Sequence, residues 1–126
     1  MALINLGSNL ILTAGTTVAT GDWYTIPGNL GNFTCQAVLT ASSVGATAAS
    51  TVYIEVSNTT AIAAATRATT FALSCTTDVV SDGAVFSTSM QGAWKLVRAR
   101  VASLTTSTAG SAGTPSVAVY VSAGRL

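Results

Sequence analysis

A chain of 126 residues has room for one compact domain, 1–126, and with 5 basic side chains, 4 acidic ones and no histidine it holds little material for chemistry. The charged fraction is 7%, against an ordinary ~25%, so an imidazole base, a His-ligated metal and a paired-carboxylate site are excluded, and we read the chain as not an enzyme and without cofactor. Nucleic acid is excluded as a partner too, because 5 basic residues against 4 acidic ones make no field that draws phosphates.

Ala 22, Thr 21, Ser 14, Val 13 and Gly 11 make up 81 of the 126 residues, a composition of small, β-branched and hydroxyl side chains. The mean hydropathy of +0.57 comes from alanine and short valine runs. Nothing approaches the ~18 consecutive apolar residues of a spanning helix, so no membrane partner is expected. The segment from Met1 to Ser8 lacks a basic start and is broken by Asn5 and Ser8, unlike a secretory signal. We read 1–8 as an N-terminal arm whose apolar residues, Leu3 and Ile4 among them, could pair with a neighbour's sheet edge.

Along the chain, short runs alternate with period two between Gly, Asn, Asp, Ser and Pro punctuation, which predicts strands. The first runs are Asn9 to Ala14, Thr16 to Thr20 and, after Gly21-Asp22, Trp23 to Ile26. Pro27-Gly28 then turns the chain. From Phe33 the apolar set is Phe33, Cys35, Ala37 and Leu39. Ser42 to Ser50 reads as a loop, and Thr51 to Ser57 sets Val52, Ile54 and Val56 against Tyr53 and Glu55. Asn58 to Thr69 reads as a long loop, with a short alanine-rich helix over 61–67 as the alternative. Phe71, Leu73 and Cys75 form the next strand face, and a turn at Ser81-Asp82-Gly83 leads into Ala84 to Thr88. Trp94 to Leu104 is the longest alternation, with Val97, Ala99 and Val101 opposite Arg98 and Arg100. After a Thr/Ser/Gly loop over 105–114, Pro115 opens a strand carrying Val117, Val119 and Val121. The total of eight or nine strands predicts an all-β fold, an antiparallel β-sandwich of jelly-roll type. An immunoglobulin arrangement is disfavoured because both tryptophans lie outside the interval between the cysteines.

Few side chains can carry a function. Arg98 and Arg100, two apart on one strand, present guanidinium forks ~7 Å apart on one face. They either pair with Glu55 in the same chain or meet carboxylates of a partner, and Lys95 starts the same basic run. Trp23, Tyr24 and Trp94 either plug the sandwich or form an exposed platform for sugar or subunit contacts. Cys35 and Cys75, 40 positions apart, are two buried small hydrophobes, a disulfide, or a reactive thiol, the last with no neighbouring base to support it. Asp78 and Asp82 are turn formers with too few oxygen neighbours for calcium, and the Asn32 and Asn58 triplets are chance glycosylation matches in a Thr-rich chain.

The run Gly92-Ala93-Trp94-Lys95-Leu96-Val97-Arg98-Ala99-Arg100-Val101, a Ser/Thr/Gly turn, and then Pro115-Ser116-Val117-Ala118-Val119-Tyr120-Val121 resembles the closing hairpin of small virion proteins of tailed bacteriophages. That group includes jelly-roll capsid decoration, or cement, proteins. The resemblance implies a protein made in the host cytoplasm that binds the outer surface of an icosahedral capsid. There it would bridge neighbouring major capsid subunits and work as a dimer or trimer, with Leu3, Ile4, Trp94, Lys95, Arg98 and Arg100 as contacts. A tail or head-fibre component and a carbohydrate-binding sandwich module are the alternatives.

Overall fold

The structure, a computed structural model, describes residues 2–15, 18–41, 47–58, 66–75, 84–107 and 115–125. In chain order the strands are β1 (Ala2–Leu3), β2 (Gly7–Ala14), β3 (Ala19–Thr20), β4 (Tyr24–Thr25), β5 (Leu30–Ala41), β6 (Thr47–Ser57), β7 (Thr66–Cys75), β8 (Ala84–Gln91), β9 (Leu96–Ser107) and β10 (Pro115–Arg125). One sheet runs β2-β10-β5-β8; the other runs β1-β4-β9-β6-β7, with β3 also on β9. Apart from the parallel β1–β4 pair, every ladder is antiparallel. With β3 and β4 taken as halves of one interrupted strand, eight long strands remain. The first, eighth, third and sixth form one sheet, and the second, seventh, fourth and fifth form the other. That is the double Greek key of a jelly roll.

Alternation places the core. Cys35, Ala37 and Leu39 of β5, Val52, Ile54 and Val56 of β6, Val97, Ala99 and Val101 of β9, and Val117, Val119 and Val121 of β10 are all at most 1% exposed. They meet between the sheets as one cluster. Cys35 is a free thiol inside it, so the disulfide alternative does not hold. Burial pushes that thiol up to about 12, which leaves it protonated and unreactive at neutral pH.

The run Leu10-Ile11-Leu12 breaks period two, and a bulge explains why. Leu12 and Ala14 align with inward Val119 and Val117, whereas Leu10 aligns with outward Tyr120. Ile11 is the extra residue between, and it too is buried. Another shift lies between Thr51 and Val52, beside buried Ser50, whose hydroxyl donates to the Ser103 carbonyl at 2.7 Å.

Three strands run further than their periodicity predicts. Thr47 to Ser50, Thr66 to Thr69 and Thr105 to Ser107 belong to β6, β7 and β9. Thr47, Ala48 and Ala49 pair with Ser107, Thr106 and Thr105. Such Thr/Ser/Ala stretches satisfy the ladder without any apolar alternation, so a period-two reading has no signal there. Within the helical alternative over 61–67, Thr66 and Arg67 lie in β7 and the rest falls outside the described residues, as do Asp78, Asp82 and their turn.

Between β3 and β4 the ladder is held by Gly21, whose N–H donates to the Ala99 carbonyl at 2.8 Å. A Cβ on Gly21 would lie 3.0 Å from the Ala99 oxygen of one sheet and 3.3 Å from the Ile11 oxygen of the other. Backbone closes in from both sides, so Gly21→Ala must part the two sheets at this edge. A loss of about 1–3 kcal/mol in denaturant unfolding is expected; an unchanged midpoint would show that this edge is loosely packed.

Candidate functional site

Glu55, Arg98 and Arg100 of the second sheet gather on its outer face. Antiparallel register sets Glu55 directly across from Arg98, and Tyr53 across from Arg100. Arg98 Nε donates to Glu55 Oε1 at 2.7 Å, and Arg100 Nε donates to Glu55 Oε2 at 3.3 Å. Each guanidinium also covers an aromatic ring: Arg98 lies 4.5 Å from the Trp23 centroid and Arg100 4.7 Å from that of Tyr53. Burial pushes the Glu55 carboxyl up, but the hydrogen bond and charge of Arg98, then those of Arg100, outweigh it and hold the group below its ordinary value. An ionised carboxylate between two permanent cations has no proton to trade at neutral pH. The cluster therefore acts as a cross-strand clamp with one net positive charge, and the pairing of Arg98 and Arg100 within the chain is the arrangement present. Lys95 is exposed and, among the described residues, makes no ion pair.

The aromatic residues do not share one exposed face. Trp23 is 7% exposed, and its indole Nε1 is buried without a hydrogen-bond partner. Tyr24 and Trp94 pack against the core instead. Trp94 also lies over Gly92, where a Cβ would come within 2.5 Å of the indole Nε1 and where φ is +156°. Gly92→Ala is thus expected to push the Trp94 ring outward, with a red shift of tryptophan emission and a loss of about 1 kcal/mol. An emission spectrum identical to that of the parent would contradict this placement.

The apolar residues of the N-terminal segment separate. Leu3 is 56% exposed, but Ile4 is fully buried within the chain's own core. Ile4 also donates its N–H to the Thr25 carbonyl at 2.9 Å, and β1 pairs with β4 of the same chain. Ile4 thus has no surface to offer a neighbour, because the alternation that turns Leu3 outward turns Ile4 inward.

A feature that sequence reasoning missed lies on the other sheet. Among the residues of β2, β5, β8 and β10 the one charged side chain is Arg125, the last residue of β10. The outer face of this sheet is a field of hydroxyls, amides and a few apolar groups. It is tied by Thr40 Oγ1 to Ser116 Oγ at 2.6 Å and by Gln91 Nε2 to Asn32 Oδ1 at 2.7 Å. Sorting the nine charges by strand would have found it, had the strand order been known.

No protein-family model matches the chain, and no curated protein matches it. Among solved structures it is similar to a chain of "Structure of deformed wing virus carrying the GFP gene", with a TM-score of 0.50 and 7% identity over 93% of this chain. It is also similar to a chain of "Crystal structure of infectious bursal disease virus VP2 subviral particle", with a TM-score of 0.41 and 11% identity over 94% of this chain and 36% of that one. This chain spans 44% of the deformed wing virus chain, and at such identity the likeness shows the fold alone.

Proposed function

We propose that the chain is a structural virion component that binds the outside of an icosahedral phage capsid and cements neighbouring major capsid subunits. The observation that carries the reading is the jelly-roll strand order of this chain, whose fold is similar to that of a chain of deformed wing virus. The chemistry of the surface agrees with it. The main charged cluster is neutralised down to one net charge by its own carboxylate, and a protein short of charge has little electrostatic repulsion to keep it apart from others. Stiff β-branched side chains lose little freedom on ordering, and symmetry repeats weak contacts many times over.

In this reading Leu3, Trp94, Lys95 and the outer edges of Arg98 and Arg100 are contact residues toward the capsid, and the chain self-associates. A sugar-binding platform is disfavoured by the burial of Trp23 under Arg98. The test is size-exclusion chromatography of the chain with and without emptied capsids of the phage that encodes it. Co-elution with capsids supports the reading. A chain that elutes alone and binds glycans on an array would replace it with the carbohydrate-binding alternative.

A further inference from the structure

We infer that the uncharged outer face of the β2-β10-β5-β8 sheet is the surface through which two copies of this chain associate about a two-fold axis. The inference rests on the reading of the chain as an assembly component and names the surface used. A two-fold interface sets one patch against itself, so the patch must be self-complementary. Hydroxyls and amides both donate and accept, so a face built of them can pair with its own copy, whereas an uncompensated charge near the axis meets its like.

The face has that chemistry. Gln36 and Tyr120 are opposite each other in the ladder between the two central strands, β5 and β10, with Val38 opposite Ala118 one pleat along. Leu10 of the neighbouring strand aligns with Tyr120 and is 50% exposed, which gives the centre an apolar element. Thr34, Gln36 and Ser89 are exposed. The sole charge, on Arg125, stands at the end of β10, away from this centre.

Size agrees as well. Four strands ~4.8 Å apart and ~3.3 Å of rise per residue make a face of roughly 19 by 35 Å. Allowing for its corrugation, that approaches the ~800 Å² that each partner contributes to a standard interface. The other sheet is less suited to self-contact, since two copies facing there would set one net-positive Arg98–Glu55–Arg100 cluster against another.

The test is the mass in solution by sedimentation equilibrium from about 1 µM to about 1 mM, with a Gln36→Arg/Thr34→Lys double variant and, as control, Asn58→Lys at an exposed position just past the end of β6. The expected result is a wild-type chain that reaches twice its 12.6 kDa mass, a control that does the same, and a double variant that stays monomeric and unfolds thermally like the wild-type chain at the dilute, monomeric end of that range. Exposed strand positions tolerate such changes within about 0.5 kcal/mol, so loss of the dimer would not reflect loss of the fold. A wild-type chain that remains monomeric, a trimer, or a double variant that dimerises like the wild type would overturn the inference. Capsid co-elution is read on the same samples. A dimer that ignores capsids refutes the virion reading alone, and a monomer that co-elutes with them refutes the two-fold interface alone.

Discussion

Ile54→Ala is expected to lower the free energy of unfolding by about 2–5 kcal/mol, read as a drop in the denaturant midpoint at an unchanged slope. Ile54 is fully buried, and its strand β6 is flanked on both sides by β7 and β9. Little in its surroundings can collapse into the space that truncation leaves. Domains of this size are stable by only about 5–15 kcal/mol, so one such cavity removes a large share of the total. The matched control is Thr20→Ala at an exposed position of β3, expected within about 0.5 kcal/mol of the parent. Equal effects at the two positions would mean that the sandwich interior is not the source of stability.

Glu55→Gln is expected to be the most damaging change on the surface. It leaves two guanidiniums side by side with no counter-charge, whereas Arg98→Gln or Arg100→Gln leaves one intact pair. Breaking a fully buried pair costs about 3–5 kcal/mol; the side chains here keep 12%, 21% and 29% of their exposure, and solvent screening brings the expectation down to about 1–3 kcal/mol. The pH dependence has a definite sign. The folded-state pKa of Glu55 lies below its unfolded value, so its stabilisation is complete above the unfolded pKa of about 4.3 and is lost as pH falls through the lower folded value. Wild-type stability should therefore fall more steeply than that of Glu55→Gln as the pH drops below about 4.5. Parallel acid limbs for the two proteins would show that the clamp contributes nothing.

The parts of the fold legible in the sequence are those where burial writes an alternation. Val52, Ile54 and Val56, and Val97, Ala99 and Val101, occupy the core face that their spacing predicts, and Glu55 reaches Arg98 and Arg100 from the opposite face. The Thr-rich ends of β6, β7 and β9 were illegible because their residues pair through backbone ladders and leave no apolar trace. Ile4 was misplaced for another reason. A two-residue strand carries too few positions to fix a face, and its pairing with Tyr24 and Thr25 depends on a tertiary approach that no local pattern records. The uncharged face needed strand order as well as composition, since β2, β5, β8 and β10 are scattered along the chain and become neighbours only in the folded sheet. The shortage of charge also leaves that face with few charged groups to desolvate in a contact.

The most direct test of the proposed assembly role is a reconstruction at side-chain resolution of gradient-purified particles of the phage that, on this proposal, encodes the chain. The expected result is jelly-roll density on the outside of the shell, at a copy number set by its symmetry, into which this chain fits with Leu39 and Ile54 inside the sandwich. Particles that contain no copies of the chain, or that hold it only inside the shell, would contradict the assignment.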